Sequence, residues 1–301
     1  MENIENSLSH VASDLKWVIR SPFLTKQFPE PDLASIPQTE ALLLSVAENP
    51  KPLLTFLSGM KRQNLGTYFE YLVFFWLSNL EAVTLLATNL QINVEKQTLG
   101  ELDVIFSYLG QVYHWELAIK FYANSGSPLS EGNWLGPLKR DNLKRKLDRL
   151  FDHQLPLCHT DATDQTLRTK DINAAEIHSF PFVKGILFNK TGNSEIANSL
   201  PSRISGSCQR QVWCTLEELT LLLSEDINRY CILPKLRWMS ELQTSDWKIL
   251  DNEGTDKTIA EKVTALNIPQ FVAFGSFQNG LIEERCRIFI MPEDWETSES
   301  L

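Results

Sequence analysis

Two alternating runs joined by a turn constrain this chain more than anything else in it. Gly100-Glu101-Leu102-Asp103-Val104-Ile105-Phe106 is followed, thirteen residues after Asp103, by Glu116-Leu117-Ala118-Ile119-Lys120. Side chains alternate between the faces of a strand, so Glu101 and Asp103 share one face and Leu102, Val104 and Phe106 the other. In the second run Glu116, Ala118 and Lys120 share a face, opposite Leu117, Ile119 and Phe121. Tyr108-Leu109-Gly110-Gln111 between them has the length and the glycine of a hairpin loop. Such a pair sets an Asp, a Glu and a Lys on one surface. A hard divalent cation and an attacking water need that combination for phosphodiester cleavage. The same alternation also suits an ordinary half-exposed hairpin, with the acids in solvent and Lys120 guarding an edge.

Gln63-Asn64-Leu65-Gly66-Thr67-Tyr68-Phe69-Glu70-Tyr71-Leu72-Val73-Phe74-Phe75-Trp76-Leu77 precedes the hairpin and reads as a mostly buried helix. Glu70 is its only acid, a costly residue in an apolar run unless it is paired or coordinates something. A narrow solvated stripe beside Thr67 is the plainer reading.

Gly-Glu-Leu-Asp-Val-Ile, a short hairpin and a strand bearing Glu and Lys resemble the core of the PD-(D/E)XK nuclease superfamily. The resemblance covers 63–154, roughly a third of the chain. The longer run through Gly136-Pro137 and Asp141 to Gln154 is also similar to a bacterial family of unknown function assigned to that superfamily. The resemblance implies a restriction-endonuclease-like mixed sheet flanked by helices. It makes Asp103 the first metal-binding acid and Lys120 the lysine, and it places Glu70 where the preceding helix supplies an acid. It implies Mg²⁺ or Mn²⁺ held by Asp103, Glu116 and Glu70, and nucleic acid as substrate, DNA in preference to RNA. One position departs from the pattern. The family has Asp or Glu two residues before the lysine, where this chain has Ala118. Glu116 lies one pleat further along the same face, about 7 Å away. Either Glu116 substitutes for the missing acid, or the site has lost its metal and the protein acts as a nucleic-acid- or protein-binding module.

A basic helix follows the hairpin. Leu143, Leu147, Leu150 and Phe151 make its apolar stripe, and Lys139, Arg140, Lys144, Arg145, Lys146 and Arg149 surround it. Lys139, Arg140, Lys144, Arg145 and Lys146 are the candidate phosphate contacts. Lys146, at the border of the stripe, is placed to point towards the acids. The competing reading is a solvated helix whose charges pair with Asp141, Asp148 and Asp152.

The net charge of −10 argues against a generic nucleic-acid binder and suits a protein partner as the alternative, although local fields matter more than the total. No apolar run approaches the roughly 18 residues of a membrane span, so no membrane role is expected. The first residues lack a basic segment, and five scattered cysteines without a CxxC pair suit reduced thiols in the cytoplasm. His114 shares a face with Glu116, but an isolated histidine is ordinarily structural.

The whole reads as an α/β (α+β) protein. A helical region is expected over 1–60, with Ser21-Pro22 ending its first helix, and the nuclease-like core over 61–228 with a polar surface insertion near 156–180. A C-terminal α+β extension is expected over 229–301, with Trp238, Trp247 and Trp295 as anchors. Strands are expected at 182–188, 211–214, 233–239, 270–275 and 281–291, a capped helix from Thr215, a helix over 258–266, and a hairpin turn at Asn279-Gly280. An unrelated α+β interaction protein with solvated acids is the third reading.

Overall fold

The computed structural model describes residues 10–95, 97–173, 176–192, 199–250 and 257–297. It is a mixed α/β protein with a large mixed sheet flanked by helices. The chain divides into two compact units, Met1–Lys120 with Arg145–Gly185 and Arg203–Ser207, and Phe121–Lys144 with Ile186–Ser202 and Cys208–Leu301. The boundaries expected after 60 and 228 do not coincide with this division. The helices before 60 belong to the same unit as the hairpin, and two strands run through from one unit to the other.

In the first unit, α1 (Val11–Arg20) buries Val11, Leu15, Val18 and Ile19 at helical spacing, and the extended Ser21 before Pro22 ends it. Helices α2 (Pro37–Glu48) and α3 (Lys51–Leu57) each start with a proline in the first turn, where no amide hydrogen is missed. Asn64 caps α4 (Leu65–Ser78) by accepting from the Thr67 amide at 3.0 Å. Because α4 is apolar nearly all round, it sits in the core, and its polar atoms find partners there. Tyr68 Oη donates to Asp14 at 2.7 Å and Trp76 Nε1 to Thr39 Oγ1 at 2.9 Å.

Strands β1 (Val83–Val94), β2 (Gln97–Tyr108), β3 (Gln111–Asn124) and β5 (Ile177–Lys190) follow one another across the sheet in that order. The β2–β3 turn is the expected one, with Leu109 and Gly110 both at positive φ (50° and 79°). Leu102, Val104 and Phe106 are fully buried, as the alternation requires. Trp115 packs on Phe106, Trp76 and Phe182, with ring centroids 4.8, 5.9 and 5.0 Å away. Burying aromatics of this size contributes roughly 1.5–3 kcal/mol each.

The stretch 156–180 is not a surface insertion. Leu157, Cys158, Leu167, Ile172 and Ile177 turn inward and form one buried cluster with Ile92, Leu102 and Ile105. It contains a short helix, α6 (Asp161–Arg168), capped by Thr160. Sparse apolar content disguised a correctly spaced amphipathic segment.

In the second unit, the 186–190 end of β5 pairs in parallel with β6 (Gln209–Thr215), and β6 in parallel with β10 (Leu281–Met291). Antiparallel pairs then add β9 (Gln270–Gln278), β7 (Arg229–Ile232) and β8 (Lys248–Ile249), while β4 (Trp134–Leu135) pairs with the end of β3. Asn279 and Gly280 make the β9–β10 turn at φ 52° and 83°. Thr215 and Glu218 form the expected capping box on α7 (Leu216–Leu222). The helix expected over 258–266 is α8 (Lys257–Ala260), continued by a π-turn over Glu261–Ala265. Trp295 Nε1 donates to Pro137 O at 2.8 Å, and Trp238 packs on Phe121.

The run 233–239 is a correction. The strand β7 stops at Ile232, and Lys235–Arg237 is a single 3₁₀ turn. Pro234 has no amide hydrogen for a ladder, and Arg237 instead forks onto both oxygens of Asp246 at 2.8 and 2.6 Å. Among the described residues no helix is long and apolar enough to cross a membrane.

Candidate functional site

All the residues of the acid cluster lie in the first unit. The β2–β3 ladder runs from Tyr108↔Gln111 to Val104↔Trp115. Extending that register sets Asp103 opposite Glu116, and there the backbone pairing gives way. Asp103 Oδ2 takes the Leu117 amide hydrogen at 2.7 Å, and the Asp103 carboxyl interacts directly with that of Glu116. Two neighbouring carboxyls disfavour both being charged, and the environment adds to this. Burial, then the neighbouring Glu116, hold Asp103 well above the usual carboxylate range. Burial raises Glu116 to about 7 against the opposing pull of Lys146.

Glu116 is fully buried because the segment from Leu150 to Ile177 covers its face of the sheet. Gln154 Nε2 donates to Glu116 Oε1, while Gln154 Oε1 accepts from Lys146 Nζ at 3.0 Å. Glu116 Oε2 has no hydrogen-bond partner. The nearest base, His114 Nε2, stands 3.6 Å away, also unpartnered. Burial lowers His114 to about 4, so it is neutral and the approach is not an ion pair. Its Nδ1 meets Ser179 Oγ at 2.8 Å, which assigns it a structural place.

Glu70, from α4, is raised to about 7, first by burial and then by the charges of Asp103 and Glu101. Half-buried on α4, it stands within electrostatic reach of the strand acids. It does not join them as a ligand set: among the described residues, no three His, Cys, Asp or Glu side chains converge in a metal-holding arrangement. Instead, Gln154 covers the Glu116 carboxyl with its side-chain amide. Ala118, at the position of the missing acid, is buried.

Lys146 approaches the pair, and Lys120 stands within electrostatic reach of Lys146. Lys120 follows Glu116 on β3, at a point where β5 presses close: a Cβ on Gly185 would collide with the Lys120 carbonyl. Lys146 comes from α5 (Leu143–Arg149), which continues through a π-turn over Leu150–Gln154. Burial lowers Lys146, while Glu116 and Asp103 pull it back up and Lys120 repels it. The sequence placed Lys146 at the edge of the stripe but missed Gln154. The π-turn adds a residue to one turn and shifts the phase, so Gln154 is not where straight helical spacing puts it.

The candidate phosphate contacts do not act as one group. Lys146 is turned in to Gln154 and Glu116. Lys144 and Arg145 are exposed on α5. Arg140 is exposed in the preceding loop, and Lys139 lies 5.2 Å over the Trp295 ring. Of the five, Arg145 and Lys146 belong to the first unit and Lys139, Arg140 and Lys144 to the second.

A family model described as a domain of unknown function, DUF1853, matches residues 13–291. No curated protein and no solved structure matches the chain.

Proposed function

The chain belongs to the DUF1853 family, and we propose that it is a metal-dependent phosphodiesterase of restriction-endonuclease-like fold that cleaves nucleic acid, with DNA as the first substrate to test. The observation that carries this reading is the half-buried Asp103 beside the fully buried Glu116, with Lys146 one side-chain amide away. Two carboxyls brought this close, one of them out of water, favour a proton or a cation between them. The donors are all oxygen, and Glu116 Oε2 is buried without a partner, so the set suits a hard ion.

Asp103 and Glu116 would hold Mg²⁺ or Mn²⁺, with Glu70 as the further acid supplied by the preceding helix. A bound ion supplies Lewis acidity towards the phosphate and lowers the pKa of water. Gln154 fixes the rotamer of Glu116. Lys146, whose ammonium burial has made more acidic than usual, orients or deprotonates the attacking water, and Lys120 offsets the charge that develops on the phosphate. The unpaired thiols of all five cysteines fit a reducing compartment such as the cytoplasm. The test is cleavage of single- and double-stranded DNA and RNA by the purified protein with Mg²⁺ or Mn²⁺. Metal-dependent cleavage that disappears in Asp103→Asn supports the reading, and no cleavage of any substrate rejects it.

The second reading is a degenerate member that keeps the fold and binds nucleic acid or protein. Ala118 at the acid position and an Asp103 carboxyl held well above the usual range favour it. Titration with Mn²⁺ separates the two readings, since a binding module of this kind takes up no metal at Asp103 and Glu116.

A further inference from the structure

The second unit holds a cavity of about 390 Å³, within the range of small-molecule sites. None of the acids described above lines it. Its apolar wall is aromatic: Phe271 and Phe289 stack at 5.1 Å with 15° between their planes, and Trp238 stands edge-on to both at 5.9 and 5.2 Å. The two phenylalanines are fully buried and fix the wall, whereas the half-buried Trp238 is open to the cavity. Two cations, Arg140 and Lys235, are exposed at its rim, with Lys235 Nζ 5.7 Å from the Trp238 ring. Neither makes an ion pair among the described residues, in a chain whose net charge is −10. The one acid lining the cavity, Asp141, accepts from Tyr122 Oη at 3.2 Å, and its backbone oxygen holds the Gly136 amide at 2.9 Å. Gln270 gives its Nε2 to the carbonyls of Ile268 and Pro269, which leaves its Oε1 as an acceptor.

An aromatic wall, an amide acceptor and two cations at the mouth together specify an anionic ligand with a flat, hydrogen-bonding ring. We infer that this cavity binds a nucleotide unit, its base against Trp238 and its phosphate between Arg140 and Lys235. Base–aromatic contact and charge-assisted phosphate bonds are the two interactions such a ligand gains most from. A purely apolar ligand leaves both cations without a partner. The site rests on the second unit alone and is independent of the cleavage reading. The ligand is either a free nucleotide or the terminal unit of a strand, and the chemistry is shared.

Calorimetric titration of the full chain with deoxyadenosine 5′-monophosphate, deoxyadenosine, inorganic phosphate and a 5′-phosphorylated dinucleotide tests the inference. The monophosphate binds, while the nucleoside and phosphate alone are each weaker by about tenfold or more. Arg140→Ala with Lys235→Ala, both exposed positions that leave the circular dichroism unchanged, weakens the monophosphate by at least about tenfold and leaves the nucleoside unaffected. The dinucleotide binding more tightly than the monophosphate names a strand end as the source, and more weakly names a free nucleotide. No heat from either phosphorylated ligand at millimolar concentration overturns the inference, as does equal binding of the monophosphate to the double variant or inorganic phosphate binding as tightly as the nucleotide.

Discussion

Lys146 and Glu116 are joined through one side chain, the amide of Gln154, which accepts from the lysine at 3.0 Å and donates to the carboxylate. Gln154→Leu removes the hydrogen bond that Glu116 Oε1 accepts and takes from Lys146 its acceptor at 3.0 Å. Loss of a hydrogen bond to a buried charged group costs about 1–3 kcal/mol. The variant is expected to unfold at lower urea with an unchanged slope, and Gln154→Glu, which adds a third carboxyl, to lose more stability at pH 8 than at pH 5.

The acids also set a dependence of stability on pH. Glu116 and Glu70 are both raised from 4.5 to about 7 in the folded protein. Between those values the folded state holds more protons than the unfolded state, so their contribution is complete below about pH 4.5 and is lost as pH rises through about 7. For Glu116 the loss is on the order of 3 kcal/mol. His114 runs the other way: lowered from 6.5 to about 4, its contribution is present above 6.5 and is lost as pH falls through about 4. The histidine therefore masks one glutamate between pH 4.5 and 6.5. Glu116→Gln is expected to abolish most of the stability loss between pH 5 and 8, measured by urea midpoints. An unchanged pH profile in that variant would show that Glu116 titrates normally.

How much of this was readable in advance divides by the kind of signal. Strict alternation and turn chemistry carried the hairpin: Leu102, Val104 and Phe106 point to the core, and Leu109-Gly110 and Asn279-Gly280 turn where expected. Local capping carried α7 through Thr215 and Glu218. What failed depends on tertiary partners. The inward residues of 156–180 are too few to announce a core segment, and Pro234 breaks a run whose composition reads as a strand. Within the site, alternation placed Asp103 and Glu116 on one face. The full burial of Glu116 comes from the segment laid over it, and Gln154 reaches Glu116 because a π-turn changes the helical phase.

Gly185 is the position most sensitive to a single methyl group. Its φ of 153° disfavours other residues, and a Cβ there collides with the backbone of Lys120. Backbone atoms cannot move aside as a flexible side chain does. Gly185→Ala is expected to destabilise the protein by more than about 3 kcal/mol, at the upper end for point substitutions. Recovery of soluble protein with a wild-type urea midpoint would contradict the close approach of β5 to β3.

Cleavage, if it occurs, distinguishes the two lysines. Lys146 is hydrogen-bonded into the acid pair through Gln154, and Lys120 repels the Lys146 ammonium. A group that orients or takes a proton from water typically contributes 10²–10⁴-fold, and a lysine that only offsets charge contributes less. Lys146→Met is therefore expected to lower cleavage by about 10²-fold or more, Lys120→Met by less, and Asp103→Asn to abolish it. Because Lys146 is half-buried and Met matches its stem, the variant should fold, which circular dichroism checks. Proton transfer by Lys146 also predicts that wild-type activity rises with pH as the ammonium loses its proton, and that the rise is absent in Lys146→Met. Ala118→Glu restores the acid that the family pattern places before the lysine and is expected to lower the Mn²⁺ concentration needed for half-maximal cleavage. Equal losses in both lysine variants, with the pH dependence intact in Lys146→Met, would return the role to Lys120.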